Sequence, residues 1–402
     1  MKSEYIRVPY GMTVHGDEEV SAVNRVLKSS TQMGENTKEF EKIISNEFGH
    51  KYGIGVNSGS SALYLGMEIL DLPPKSEVIT PSLTFATTVG CIVKNNLVPY
   101  FVDVEERSLL INTDKIERNI NENTSALCIP NLMGNLPDWE KIHEIASKYN
   151  LKVLEDSADI IGSRYKGEKT GKYADITITS FYGMHIINCA GNGGMICTSN
   201  KEYSDKAKLL RSWGRSSSLY EDSEAIENRF NVKVDDIDYD AKFIFEKIGY
   251  NLEPSELGSA FGIVQYDKLT TNLKKRKEVY SKLENFFSQY SDWIDLPTKR
   301  NDVDSVWFAF PFFIKDKAPF KRKDLMIFFE KRNIQTRVIF TGNITRQPGY
   351  KNIDFKVDRD GLSISDEIMK KGMLIACHHG LTDKMINHIF NSFEEFSLKL
   401  KS

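Results

Sequence analysis

The chain has 402 residues, of which 40% are hydrophobic and 27% are charged, and these proportions are ordinary for a folded globular protein. This length is long for one domain and sufficient for two. The formal net charge is only −3, and acidic and basic residues are intermixed, which argues against a nucleic-acid surface and a membrane-binding patch.

The first part of the chain alternates between apolar runs and helical patterns, after a start that lacks the apolar region of a signal peptide. This alternation predicts an α/β fold with a largely parallel sheet and helices on both faces. Helices are predicted at 17–28, 61–70 and 138–149. Strands are predicted at 53–57, 78–80, 98–104, 126–130, 152–156, 176–181 and 193–198.

The pattern changes near residue 255, where long helical periodicity replaces the short alternating segments. We predict a large domain at 1–260 and a smaller α+β domain at 261–402. The elements that indicate this second domain are a helical stretch at 256–288, a strand at 308–314, a charged helix at 323–332 and a strand at 336–340.

The segment 57–63 (NSGSSAL) joins a predicted strand to a predicted helix. Gly59 allows a tight turn, and Ser60 and Ser61 begin the helix, where backbone amides and hydroxyls can bind a phosphate group. Serine is also a common N-cap, so these residues alone leave a purely structural role open.

A second candidate, Asp156, stands at the end of the strand 152–156, where open α/β sheets place their ligands. A carboxylate there can pair with a protonated ring nitrogen of a cofactor, or it can simply cap the next helix. Asp159 lies about one helical turn further along the chain and is expected to face the same crevice.

The glycine-rich segment 179–195 (TSFYGMHIINCAGNGGM) contains the hydroxyl of Ser180 and the imidazole of His185. Its glycines precede a strand instead of following one, which is the wrong order for a dinucleotide-binding fingerprint. A single histidine is more often structural than catalytic, so chemistry alone gives His185 no role.

The chain from residue 251 onward adds Asn251 ahead of a helix, and Arg337 and Arg346, which could bind phosphate or carboxylate groups. The adjacent His378 and His379 lack a third ligand, so we predict no metal site.

No apolar run approaches the roughly 18 residues of a membrane span, and a cytoplasmic protein is predicted. Its cysteines are scattered, without a Cys-x-x-Cys or Cys-x-Cys pair, at Cys91, Cys128, Cys189, Cys197 and Cys377.

Taken together and in this order, the segments resemble the DegT-type family of pyridoxal-phosphate-dependent sugar aminotransferases and dehydratases. The motifs are NSGSSAL, PSLTFATT, FVDVE, LEDSAD, SFYGMH, GYNLEPSELGSAFG and GNITRQP, spread over nearly the whole chain. The resemblance implies the fold-type I, aspartate aminotransferase-like architecture: a mainly parallel seven-stranded sheet in a large domain plus a smaller C-terminal domain. It also implies a homodimer with active sites at the interface.

The resemblance also implies roles for individual residues. The cofactor phosphate would be bound by Gly59, Ser60 and Ser180, and by Asn251 from the neighbouring subunit. Phe85 would stack on the pyridine ring. Asp156 would pair with the ring nitrogen, and Asp159 would lie near the ring hydroxyl.

The position of the Schiff-base lysine in aminotransferases of this family, five residues after Ser180, is occupied here by His185. Imidazole cannot form an internal aldimine, so the cofactor would be bound non-covalently and act as pyridoxamine phosphate. This replacement marks the 3-dehydratase branch, which acts on a nucleotide-linked 4-keto-6-deoxyhexose in 3,6-dideoxysugar (lipopolysaccharide O-antigen) biosynthesis. His185 would be the general base.

Iron–sulfur members of that branch carry a Cys-x-Cys pair after Trp-Gly-Arg, whereas here serines follow Trp213-Gly214-Arg215. We therefore predict no iron–sulfur cluster. Glutamate as amino donor, or a separate reductase, would regenerate the active cofactor.

Two alternative functions are a nucleotide-sugar aminotransferase and a catalytically silent protein of the same fold that serves in binding or assembly. The sequence leaves open the nucleotide, and whether Arg337 and Arg346 bind a pyrophosphate or a donor carboxylate.

Overall fold

The computed structural model describes residues 5–220 and 222–401. The α-helices are α1 (Asp17–Leu27), α2 (Glu35–Phe48), α3 (Gly59–Glu68), α4 (Ala86–Lys94), α5 (Trp139–Tyr149), α6 (Lys201–Arg211), α7 (Ile226–Phe230), α8 (Glu256–Asp267), α9 (Leu269–Phe287), α10 (Arg322–Lys331), α11 (Ser363–Lys371) and α12 (Asp383–Lys401). The strands are β1 (Tyr52–Val56), β2 (Glu77–Pro81), β3 (Val98–Val102), β4 (Thr124–Pro130), β5 (Lys152–Asp156), β6 (Arg164–Tyr165), β7 (Ile176–Ser180), β8 (Gly194–Thr198), β9 (Val232–Val234), β10 (Ile237–Tyr239), β11 (Ile294–Asp295), β12 (Val303–Asp304), β13 (Phe310–Ile314), β14 (Thr336–Val338), β15 (Lys356–Val357) and β16 (Gly372–Ile375).

The large sheet has the order β1-β8-β7-β5-β4-β2-β3-β15. Strand β8 is antiparallel to both of its neighbours, and the remaining pairs are parallel. The predicted mainly parallel α/β sheet is therefore confirmed. The sheet has eight strands because the two-residue strand β15, from the C-terminal part of the chain, pairs with Tyr100 and Phe101 of β3.

Helices cover both faces of this sheet, as the alternation predicts. In β4, Leu127 and Ile129 pack in the hydrophobic core that contains residues of α2 and α5. Ala126 and Cys128 of the same strand pack in a second core with residues of α3, α4 and α6. Successive side chains of a strand point to opposite faces, so a strand covered on both sides is apolar throughout.

Helix α2 has no counterpart among the helices predicted from the sequence. Its first turn is held by the Glu256 carboxylate, which accepts 2.8 Å hydrogen bonds from the backbone amides of Gly34 and Asn36. A negative group at a helix N-terminus stabilises the unpaired amides and the helix dipole. Because Glu256 lies about 220 residues further along the chain, local sequence does not reveal this helix start.

The C-terminal part contains a four-stranded antiparallel sheet in the order β11-β13-β16-β14. The chain start also packs here, since the Val8 amide donates to the Asn333 carbonyl at 2.9 Å and the Gln335 amide donates to Val8. The predicted boundary after residue 260 stays a prediction, with the addition that β15 returns to the large sheet. Within residues 5–220 and 222–401, helices that could span a bilayer are absent.

Candidate active site

A cavity of about 520 Å³ opens at the carboxyl ends of the parallel strands, where side chains from several segments converge. Pairing of parallel strands brings their carboxyl ends to one edge, so residues far apart in sequence meet there. The sequence-predicted residues that line this cavity are Gly59, Ser60, Phe85, Asp156, Asp159, Ser180, His185 and Arg337.

The turn before helix α3 forms one end of the cavity. Ser58 is the N-cap, and its hydroxyl accepts a 3.1 Å hydrogen bond from the Ser61 amide. Gly59 lies so close to Ser180 that a β-carbon at residue 59 would be 2.5 Å from the Ser180 β-carbon. This approach requires glycine and places the free amides of the helix start beside two serine hydroxyls, an arrangement suited to a phosphate.

Asp156 ends strand β5 and is buried, with 6% of its surface exposed. Its carboxylate accepts hydrogen bonds from the Thr88 hydroxyl at 2.7 Å and from the Ala158 amide at 3.3 Å. Burial nevertheless raises the pKa of Asp156, since desolvation disfavours the charged form. A bound cation, such as a protonated ring nitrogen, would restore the ionised carboxylate.

Asp159 faces the same cavity and accepts a 3.2 Å hydrogen bond from the Met133 amide. Burial raises the pKa of Asp159 to about 7, and repulsion from the carboxylate of Asp156 adds to this effect. The two carboxyl groups therefore differ in their neighbours, and Asp159 changes its charge near neutral pH.

His185 lies in a tight loop in which Gly191 adopts a φ of 120° and the Gly183 amide donates to the Gly191 carbonyl. The Nδ1 atom is 3.1 Å from the Ser180 carbonyl oxygen. Because a carbonyl only accepts, this contact favours the tautomer with the proton on Nδ1, and the Ala158 backbone makes a second hydrogen bond to the ring. Burial lowers the pKa of His185 to about 4, so the imidazole is neutral at pH 7.

The remaining predicted residues are placed differently. Phe85 is 52% exposed and meets Phe340 edge-on, with 6.0 Å between ring centres. Arg337 reaches the cavity and lies 5.3 Å from the centre of the Tyr10 ring. Arg346 pairs with Asp366 outside the cavity. Asn251 is exposed beside Ser212 and does not line the cavity of its own chain.

Comparison with known proteins places this geometry in a family. Residues 14–394 match the DegT/DnrJ/EryC1/StrS aminotransferase family. The chain belongs to this family. It is 33% identical to the dTDP-4-dehydro-2,6-dideoxy-D-glucose 3-dehydratase of Saccharopolyspora spinosa, over 97% of this chain and 86% of that protein.

Solved structures of DegT-family proteins agree with this assignment. The Escherichia coli GDP-4-keto-6-deoxy-D-mannose-3-dehydratase with bound hydrated PLP superimposes with a TM-score of 0.87 at 26% identity, over 97% of this chain and 100% of that one. A GDP-4-keto-6-deoxymannose-3-dehydratase with a trapped PLP-glutamate geminal diamine gives 0.85 at 26% identity, over 96% and 100%. The predicted family, branch and fold are confirmed, and the predicted cofactor is the one that these structures contain.

The family motifs did not reveal every residue of the cavity. Tyr10, Asn131, Phe308 and Phe340 also line it, and they lie outside the segments with a recognisable cofactor pattern. Thr88 is different, because it lies three residues after Phe85 in the PSLTFATT motif, near the start of α4. Its position relative to Phe85 is a signal that could have identified it as a partner of the Asp156 carboxylate.

The histidine pair and the serines also have defined positions in this DegT-family chain. His378 and His379 are buried, and burial lowers the pKa of each imidazole, to about 4 and about 3. Groups of three or more potential metal-binding side chains are absent from the part of the chain that the structure describes. Ser216 and Ser217, which follow Trp213-Gly214-Arg215, are buried.

Proposed function

We propose that the protein catalyses pyridoxamine-phosphate-dependent removal of the C3 hydroxyl from a nucleotide-linked 4-keto-6-deoxyhexose, a step of 3,6-dideoxysugar biosynthesis. The observation that carries this proposal is the place of His185. The imidazole lines one cavity with Asp156 and the Gly59–Ser60 turn, and lysine is absent among the described residues of its lining. The similarity to two named 3-dehydratases supports the same reaction.

The residues of the cavity fit pyridoxal 5′-phosphate or pyridoxamine 5′-phosphate. Gly59, Ser60 and Ser180 would hold the phosphate, since the glycine leaves space that a β-carbon would fill. Phe85 would cover the ring, and Asp156 would receive its protonated nitrogen. When bound, the cofactor supplies an amine that condenses with the sugar ketone and a ring that accepts electrons.

His185 would act as the base. With Nδ1 donating to the Ser180 carbonyl, Nε2 would be the ring atom that takes up the proton removed during the reaction. The lowered pKa of His185 keeps Nε2 unprotonated at neutral pH, which a base requires. Asp156 would keep a proton on the ring nitrogen, and Asp159 would contact the ring hydroxyl.

A homodimer would complete this site. Asn251 does not reach the cavity of its own chain, and the segment that precedes it is unusually apolar at its surface. We propose that this segment crosses to a second copy and brings Asn251 to the partner's phosphate-binding turn. Its most exposed apolar side chains are Ile226, Phe230, Ile237, Phe243, Phe245 and Ile248.

Glutamate is the proposed amino donor, and Arg337 is the cation of the cavity available for its carboxylate or for the pyrophosphate of the substrate. The serines at 216–218 offer no thiolate for an iron–sulfur cluster, which supports regeneration by transamination. The trapped glutamate adduct in a solved relative agrees with this choice. A cytoplasmic location is part of this proposal, because free cysteines such as these five are typical of a reducing compartment.

The test combines spectroscopy with product analysis. Purified protein receives pyridoxal phosphate and glutamate, its absorbance is followed, and borohydride is then added. We expect conversion to the pyridoxamine form and no covalent lysine adduct. GDP-, CDP-, dTDP- and UDP-linked 4-keto-6-deoxyhexoses are then supplied, and one of them should lose its C3 hydroxyl. A borohydride-trapped lysine adduct, or a C4 amine as the only product, would indicate an aminotransferase and refute the proposal.

A further inference from the structure

Arg276, in helix α9, is a buried cation close to the active site but outside its lining. Only 1% of its surface is exposed. In residues 5–220 and 222–401, ion pairs between Arg276 and a carboxylate are absent. Burial lowers the pKa of Arg276 to about 10, which still leaves the guanidinium charged at neutral pH. A buried charge without an ion-pair partner costs desolvation free energy, so the presence of Arg276 here requires an explanation.

The guanidinium is bound by backbone carbonyl groups from two segments. One terminal nitrogen, Nη1, donates to the carbonyls of Trp307 at 3.4 Å, Phe308 at 3.2 Å and Cys377 at 3.1 Å. The first two residues precede strand β13, and Cys377 follows strand β16. Charge-assisted hydrogen bonds are stronger than neutral ones, so Arg276 holds both segments against α9.

The segment that Arg276 holds is in direct contact with the base. The Phe308 ring meets the His185 ring at 5.3 Å between centres and the Tyr10 ring at 6.3 Å. The Phe308 amide donates to the Met133 carbonyl at 2.9 Å, and the Met133 amide donates to Asp159. Displacement of Phe308 would therefore disturb His185 and Asp159 together.

We propose that Arg276 is a positioning residue of this active site: by holding the 307–308 and 377 backbone, it fixes the Phe308 ring that orients the His185 imidazole. This inference rests on the proposed role of His185 as the base. Arg276 touches neither the cofactor cavity nor the reacting atoms, and it acts through Phe308.

The charge of Arg276 adds an electrostatic effect of defined sign. After desolvation, its positive field contributes to the lowering of the pKa of His185, and it opposes the rise in the pKa of Asp159. Removal of the charge should raise both pKa values, so His185 would become protonated at a higher pH. The other titratable or charged groups that share the cavity with His185 are Tyr10, Asp156, Asp159, Tyr182 and Arg337.

The test compares Arg276→Gln with Lys275→Gln. Lys275 is an exposed cation on the same helix, and its field acts on His378 and His379 instead of His185. In Arg276→Gln, we expect kcat to fall roughly 10- to 100-fold, with little change in KM, because a small misplacement of catalytic groups has that effect. The acid limb of the kcat profile should move to higher pH. Lys275→Gln should leave both unchanged.

A second readout needs neither cofactor nor turnover. In the cofactor-free protein with ring-labelled histidine, the NMR signal of His185 is identified by its absence in His185→Asn. Its pKa, about 4 in the wild type, should rise in Arg276→Gln and stay in Lys275→Gln. A folded Arg276→Gln protein with unchanged kcat and unchanged His185 titration would overturn the proposal. Because this titration does not depend on dehydration of a sugar substrate, its result can be interpreted even if the protein has a function other than the proposed one.

Two further variants cover the case in which Arg276→Gln does not fold. Arg276→Lys keeps a cation but loses the planar guanidinium, so kcat should still fall. Phe308→Leu removes the ring contact with His185 and should give a similar loss. In the double variant, the two losses should not add, because both act through one contact. Wild-type kcat in Arg276→Lys, or fully additive losses, would contradict the positioning role.

Discussion

The edge of the large sheet and the segment 219–250 differ in how their side chains are surrounded. At the sheet edge, Asp156, Asp159 and His185 each make a hydrogen bond within their own chain. In the segment 219–250, large apolar side chains face outward, with Ile226 71% and Ile248 98% exposed. The side chains of the first region are held by contacts within one chain, whereas those of the second region are exposed to solvent in the single chain.

This difference is the basis of the proposed dimer. Several large apolar side chains exposed within one segment favour an interaction site, whereas a single exposed residue would need no explanation. Asn251 follows this surface directly and has no access to its own cavity. In the proposed function, one chain would supply the base, the ring-nitrogen partner and most of the phosphate site, and the second copy would supply the rest.

The largest expected effect comes from His185→Asn, which tests whether the sheet edge contains the base. Dehydration should fall by about 10²- to 10⁴-fold, because asparagine cannot accept a proton at neutral pH. Cofactor binding, measured by absorbance titration, should change little, since the Gly59–Ser60 turn and Asp156 remain. The matched control is His143→Asn in the exposed part of α5, which should leave turnover unchanged. Retained turnover in His185→Asn would exclude this residue as the base.

A smaller effect is expected from Asp159→Asn, which tests how strongly burial raises the pKa of a carboxyl group at the same edge of the sheet. The pKa of Asp159 is raised to about 7, so this carboxyl stabilises the fold below its ordinary pKa, near 4, and loses that contribution as the pH rises to 7. Asparagine does not ionise, so the variant should be more stable than the wild type at pH 8 by about 4 kcal/mol, at about 1.4 kcal/mol per pKa unit, and similar to it at pH 4.

This pH dependence can be measured by urea unfolding of the cofactor-free protein between pH 4 and 8. Asp354→Asn is a suitable control, because Asp354 is an exposed residue far from the cavity lining. Its difference from the wild type should not grow with pH. A constant difference for Asp159→Asn would show that Asp159 has no raised pKa in solution.

The weakest effect is expected from substitutions in the exposed segment 219–250. Phe243→Ser combined with Ile248→Ser should raise the dissociation constant of the dimer about 10- to 100-fold, because interface energy is concentrated in a few apolar residues. Both side chains are exposed in the single chain, at 60% and 98%, so its fold should be preserved. Sedimentation velocity over a dilution series measures the change.

The control for the exposed segment is Leu398→Ser in α12, a 66% exposed apolar residue outside it. Equal dissociation constants for the two variants would place the dimer interface elsewhere. Loss of activity in step with dissociation would further support the contribution of Asn251 to a neighbouring site.

Several features of the site can be predicted from the amino-acid sequence alone. Asp156 and Ser180 each end an apolar run, and parallel pairing brings such ends to one edge, as the structure shows for β5 and β7. The glycine at residue 59 and the histidine at residue 185 could be identified from the order of the motifs. Arg346 shows the limit of this reasoning, because the structure pairs it with Asp366 away from the cavity.

The sequence by itself determined the mainly parallel α/β fold, because periodicity is a local property, and the resemblance of its motifs identified the family and the Gly59–Ser60 turn. Only the tertiary structure decided where α2 begins, since that depends on Glu256 from a distant helix. It alone placed Phe308 against His185 and Arg276 behind it. The neutral state of His185 also required the fold, because burial is what lowers its pKa.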